Sequence, residues 1–151
     1  MSDLYLFDSN ILIHLIREST LGDHIRQTYR PLVAEPRPLI SVVTEGELRS
    51  LAHQWKWGQR KKDQMRFFLH YFVRVPVDSE DVFEAYSMID AYSESIGHPM
   101  GQNDVWIAAA ANATGSIIVT TDTDFDHLQA DFLTVDWIDP EQFRPPKPAS
   151  S

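Results

Sequence analysis

Short, mostly apolar runs at residues 4–7, 39–43, 73–77, 117–120 and 132–135 are too brief to be buried helices, and they are rich in β-branched and aromatic side chains. They read as strands, and the segments between them repeat at helical spacing. Ile11, Leu12, Leu15 and Ile16 place a helix from Ser9 or Asn10 to about Arg17. A weaker helix is expected over 22–32, and prolines 31, 36 and 38 then lead into the second strand. Residues 44–57 are helical in composition, Gly58 breaks that helix, and Met65, Phe68, Leu69 and Phe72 stripe the next one, predicting a helical hairpin. A long helix over 79–96 would turn Val82, Tyr86, Ile89, Ser93 and Ile96 inward. Residues 103–114 are apolar nearly all round, so that helix should be central, and a turn at 124–128 precedes the last strand. Strands alternating with helices imply βαβ units with right-handed crossovers, and hence an α/β fold with a mostly parallel sheet covered on both faces.

The chain is 151 residues long and 43% apolar, enough for one core. It has no cysteine, which excludes disulfide scaffolds and thiolate zinc sites. No apolar run approaches the roughly 20 residues of a membrane helix. The start, Met1-Ser2-Asp3, is acidic and lacks the charged opening of a secretory signal, so a cytoplasmic location is expected. A single domain over 1–143 is expected, followed by a disordered proline-rich tail at 144–151 that cannot build a core.

The net charge of −9 argues against a broadly basic nucleic-acid binder, yet it is unevenly spread. Between Arg49 and Arg74 stand seven basic residues against the single acid Asp63. This segment is either a phosphate-tracking face or the solvated side of helices.

Acids recur where apolar strands give way to helices: Asp8, Glu47 and Asp122, with Asp104 opening the central helix. In open α/β sheets the carboxyl ends of the strands form the ligand-binding edge, so these side chains are placed to converge. Taken singly, each acid also reads as a helix cap or dipole partner, and Thr44-x-x-Glu47 matches a capping box. As a set they are harder to explain structurally. Two unit charges about 4 Å apart repel by roughly 4 kcal/mol at an effective dielectric near 20, and none of the four has a lysine or arginine beside it in sequence. A divalent cation is the natural counter-charge, and oxygen ligands favour Mg²⁺ or Mn²⁺. The six histidines never pair at zinc-ligand spacing on one helix, and no nucleophile elbow, phosphate loop or dinucleotide-binding glycine motif is present.

Four blocks carry a resemblance: Phe7-Asp8-Ser9-Asn10-Ile11-Leu12-Ile13; Ser41-Val42-Val43-Thr44 with Glu47-Leu48; Asn103-Asp104 with Ile107-Ala108-Ala109; and Thr120-x-Asp122-x-Asp124-Phe125. In this order, over about residues 3–137, they resemble PIN domains, and specifically the toxin nucleases of bacterial VapBC toxin–antitoxin pairs. The resemblance implies a three-layer αβα fold and a metal-dependent endoribonuclease. It implies that Asp8, Glu47, Asp104 and Asp122 hold Mg²⁺ or Mn²⁺, with Asp124 as an alternative to Asp122. Ser9 and Asn10 would shape the site and Thr120 would support it. The glutamate is assigned to Glu47 rather than Glu45 by its pairing with Leu48. One departure is that Arg49-Ser50-Leu51-Ala52 follows that pair, where the family commonly has a glycine. The resemblance further implies a homodimer and a small antitoxin partner lying along the helical hairpin and the acidic pocket.

RNA at an acidic pocket needs cations nearby, and Arg60, Lys61 and Lys62, with Trp55, Trp57, Phe67 and Tyr71 interleaved, are candidates for phosphate contacts and stacking, unless those aromatics are core. Two other classes compete. One is a non-catalytic PIN-like RNA-processing adaptor, although all four acidic positions are filled. The other is a receiver or haloacid-dehalogenase-like phosphotransfer domain, opposed by Asp8-Ser9-Asn10, which lacks a second aspartate two residues on, and by a last strand without lysine.

Overall fold

The computed structural model describes residues 3–145. Five strands, β1 (Tyr5–Phe7), β2 (Leu39–Ser41), β3 (Val73–Val75), β4 (Ile117–Thr120) and β5 (Thr134–Trp137), form one sheet in the order β3-β2-β1-β4-β5. Every pairing is parallel. Six helices connect them: α1 (Ser9–Arg17), α2 (Thr20–Tyr29), α3 (Val42–Gln54), α4 (Gln59–Tyr71), α5 (Glu80–Ser95) and α6 (Gln102–Thr114).

The central strand explains the three layers. Side chains alternate along a strand, so Phe7 enters the core under α1, α2 and α4 while Leu6 enters the one under α5 and α6. The first core carries Ile11, Leu12, Leu15, Phe68 and Phe72, and the second is built around Ile89 and the run Val105 to Ala111. Ala108, Ala109, Ala110 and Ala111 are all buried, and their small side chains let α6 lie close to both the sheet and α5. Gly115, with φ +67°, ends α6 in a left-handed turn, and Ser116 N–H donates to Ala111 O at 3.1 Å, closing the last turn before β4.

The expected elements are present, with shifted ends. Val42 and Val43 were expected in β2 but form the first turn of α3, because Ser41 Oγ accepts the Val43 N–H at 3.1 Å and caps the helix there. The second helix starts at Thr20, capped by Ser19, rather than at Gly22, and it ends at Tyr29. β3 stops at Val75, before Pro76, which cannot donate to a ladder. β5 lies two residues later than residues 132–135, because its register is fixed by pairing Ile117 to Thr120 with Thr134 to Trp137. On α5 the inward residues are Val82, Ala85, Ile89 and Ser93; Tyr86 is only partly buried and Ile96, at the helix end, is exposed. Of the expected disordered tail, Arg144 and Pro145 are described and Arg144 pairs with Glu141, whereas 146–151 lie outside the described residues. Among the described residues no helix is long and apolar enough to cross a membrane.

Helices α1 and α2 pack so closely that a β-carbon at Gly22 would sit 2.4 Å from the His14 carbonyl oxygen. Gly22→Ala should therefore cost about 1–3 kcal/mol of unfolding free energy by forcing the two helices apart. Urea denaturation measures this, and an unchanged midpoint would show that the crossing tolerates a β-carbon at this position.

Candidate active site

β1 and β4 are neighbours, but their connections leave in opposite directions, toward β2 and toward β5. Their carboxyl ends thus form the topological switch point of the sheet, the place where open α/β sheets bind ligands. Asp8 follows the last residue of β1 and caps α1, its Oδ1 accepting from Ser9 N–H at 2.8 Å. It is only 3% exposed. Its Oδ2 accepts from Thr120 Oγ1 at 2.8 Å and from Asn10 Nδ2 at 3.1 Å.

Thr120 and Asn10 stitch the two strand ends together. Thr120 Oγ1 also accepts from Asp122 N–H at 3.0 Å. Asn10 Nδ2 reaches Asp122 Oδ2 at 3.2 Å, and Asn10 Oδ1 accepts from Thr121 N–H at 3.2 Å. On the other side, Ser9 Oγ donates to Glu47 Oε1 at 2.6 Å and lies 3.1 Å from Thr44 Oγ1. Glu45 is held elsewhere, by Arg49 and Arg74. Asp104 enters from the first turn of α6.

These carboxylates act on one another. Burial, and then the charges of Asp122 and Glu47, outweigh the hydrogen bonds from Thr120 and Ser9 and raise the Asp8 pKa to about 6. Asp104 is raised to about 7, first by burial and then by Asp8, Asp124, Asp122 and Glu47. Its place at a helix N-terminus favours the ionised form by only about 0.3–1 kcal/mol, and four neighbouring acids override that. Asp122 is raised by burial and by Asp124 and Glu47, against the hydrogen bond from Asn10. The five acids therefore occupy one electrostatic site.

Among the described residues none of the five has an ion-pair partner; the ion pairs use Glu18, Glu45, Asp63 and Glu141 instead. An all-oxygen, mutually repelling donor set, with Asp8 buried, Glu47 and Asp104 half-buried and Asp122 and Asp124 exposed, fits a hard divalent cation such as Mg²⁺ or Mn²⁺. It is not a closed cage: among the described residues no three side chains already converge as a ligand group. Asp8 is fixed, whereas Asp122 and Asp124 stand on an exposed loop.

The capping-box reading of Thr44-x-x-Glu47 fails, because Ser41 caps α3 and Thr44 lies in the helix, buried against Ser9. Thr44 is thus a site-supporting residue that its spacing to Glu47 disguised. Arg60, Lys61 and Lys62 stand apart from the acids. Arg60 pairs with Glu18 just beyond the far end of α1, nine residues and about 13 Å of helix from Ser9. Of the interleaved aromatics, Trp57 is core, Tyr71 is partly buried, and Trp55 and Phe67 are exposed.

The raised carboxyl groups fix a pH dependence. Between an unfolded value of 3.8 and folded values of about 6 and about 7, the folded state binds more protons than the unfolded chain. Stability from Asp8 and Asp104 is then fullest at low pH and declines as pH rises through that window. In chelator, Asp104→Asn should flatten this decline, leaving the variant more stable than the parent at about pH 7.5 but not at about pH 4. Equal pH profiles in urea unfolding would show that Asp104 is not under strain from its neighbours.

Comparison with known proteins agrees with this architecture. A PIN domain model matches residues 5–131. No curated protein matches the chain. Among solved structures, VapBC2 from Rickettsia felis bound to a DNA fragment from its promoter superposes with a TM-score of 0.76 at 21% identity, covering 90% of this chain and 99% of that one. VapBC-1 from nontypeable Haemophilus influenzae gives 0.71 at 21% identity, covering 89% and 97%. VapBC-5 from Mycobacterium tuberculosis, a member of the VapBC family of toxin–antitoxin systems, gives 0.61 at 23% identity, covering 89% and 97%. With the family model spanning most of the chain and the five-stranded parallel sheet in place, the chain belongs to the PIN domain family.

Proposed function

We propose that this chain is a metal-dependent endoribonuclease and the toxin component of a toxin–antitoxin pair. What supports this reading is that Asp8, Glu47, Asp104, Asp122 and Asp124 act on one another electrostatically beside the β1/β4 switch point, without a cationic partner among the described residues. The structural likeness to proteins from toxin–antitoxin complexes supports the pairing with an antitoxin.

Asp8, Asp104, Glu47 and Asp122 would hold Mg²⁺ or Mn²⁺, with Asp124 at the rim. When bound, such an ion lowers the pKa of water and stabilises negative charge on a leaving oxygen. The chain's own part is orientation. Ser9 N–H, Asn10 and Thr120 fix both oxygens of Asp8, and Ser9 Oγ fixes Glu47. Nothing in this arrangement calls for a side-chain nucleophile. Lys61, exposed on α4, and the half-buried Lys62 beside it would meet phosphates at the far end of α1 rather than at the cleavage point.

Asp8→Asn should abolish RNA cleavage and weaken Mn²⁺ binding in calorimetry while the folded circular-dichroism spectrum is kept; cleavage at the parental rate would overturn the assignment, and a parent that binds no Mn²⁺ would identify a non-catalytic module. Neutralising Arg60, Lys61 and Lys62 together should reduce the slope of log affinity for single-stranded RNA against log salt by about 0.7 for each lost phosphate contact. An unchanged slope removes this segment from the interface.

A further inference from the structure

We propose that Trp137 is a base-stacking residue for single-stranded RNA at the rim of the acidic pocket; the proposal rests on the ribonuclease reading above. Trp137 ends β5 and pairs in register with Thr120, the residue whose hydroxyl holds Asp8. It thus sits on the carboxyl edge of the sheet, one strand over from the switch point. Trp137 is 44% exposed, whereas Trp57 is buried in the core. Its Nε1 donates to Thr121 O at 3.0 Å, and the Thr121 N–H is itself bound by Asn10. The ring is therefore locked to the backbone that leads into Asp122, with much of its surface in solvent. Alternation along β5 sets Trp137 on the side of Val135, which packs into the core under α5 and α6, the layer that supplies Asp104.

Charge explains why an aromatic belongs there. The pocket is acidic, and Arg49, Arg60, Arg66 and Arg74 are already paired with the chain's own carboxylates. Phosphate contacts beside the pocket are scarce, whereas stacking on a π-face needs no charge and tolerates any base. A rigid indole loses little conformational freedom when a base settles on it.

The competing role is purely structural, with the indole N–H merely clamping the Thr121 loop, and the test separates the two. In an Asp8→Asn background, a fluorescein-labelled mixed-sequence RNA of about 12 nucleotides is titrated by anisotropy, beside an abasic strand of equal length. Trp137→Ala should weaken binding of the base-bearing RNA by about 5- to 100-fold and leave the weak abasic binding unchanged. Trp137→Phe, which keeps a ring but loses the N–H, should restore most of the affinity. Mn²⁺ calorimetry on the active protein should give the same affinity with either substitution. The stacking role is overturned if Trp137→Ala binds RNA like its parent, or if phenylalanine fails as alanine does and Mn²⁺ affinity falls in both, which marks a loop clamp. If the parent binds no RNA, the ribonuclease reading falls and this proposal with it; if the parent binds and alanine changes nothing, the stacking role alone falls.

Discussion

The site is organised around a buried carboxylate that the fold does not neutralise. Asp8 sits at the end of the central strand, where both sheet faces are covered, and its two oxygens accept hydrogen bonds from Ser9, Asn10 and Thr120. Those donors hold the group in place but do not supply a positive charge, so burial wins and its pKa rises. An arginine at this point would have given a quieter protein. The sheet order, the cap of α1 and the approach of α6 all bring negative charge toward the carboxyl ends of β1 and β4, the repulsion on which the proposed cation site rests.

Support for the site is asymmetric. The Asp8 side is rigid, built from strand ends and from helices anchored in the first core. The Asp122 and Asp124 side is a short exposed loop tied down at Thr120, Asn10 and Trp137. In the proposed metal site, Asp8 would set the ion's position and the loop acids would complete the donor set from the exposed side.

Much of this was legible in the residues. β4 coincides with the apolar run 117–120, and α1 follows from Ile11, Leu12, Leu15 and Ile16, because long burial on one face leaves a clear period. The acids stood out only as a set at strand-to-helix junctions, since each taken singly reads as a helix cap or dipole partner. Boundaries were less legible where a helix borrows β-branched residues. Val42 and Val43 look like strand, and only the choice of Ser41 over Thr44 as cap reveals the helix start. β5 is an edge strand with exposed ends and no strong alternation, so its register comes from β4 rather than from its own residues. Trp137 was missed for the same reason, since nothing local in sequence tells an exposed indole at a sheet edge from an ordinary core tryptophan.

The parallel order of the sheet also has a consequence for biosynthesis. Asp8 lies 112 residues before its partner Thr120, and β4 joins β1 only after β2 and β3 have been laid down on the other side. A nascent chain halted just before β4 holds Asp8, Glu47 and Asp104 but neither Thr120 nor Asp122, so the site is still incomplete. For a protein proposed to cleave RNA, this topology would keep the site incomplete until the chain has been made at least as far as β4 and the loop that follows it.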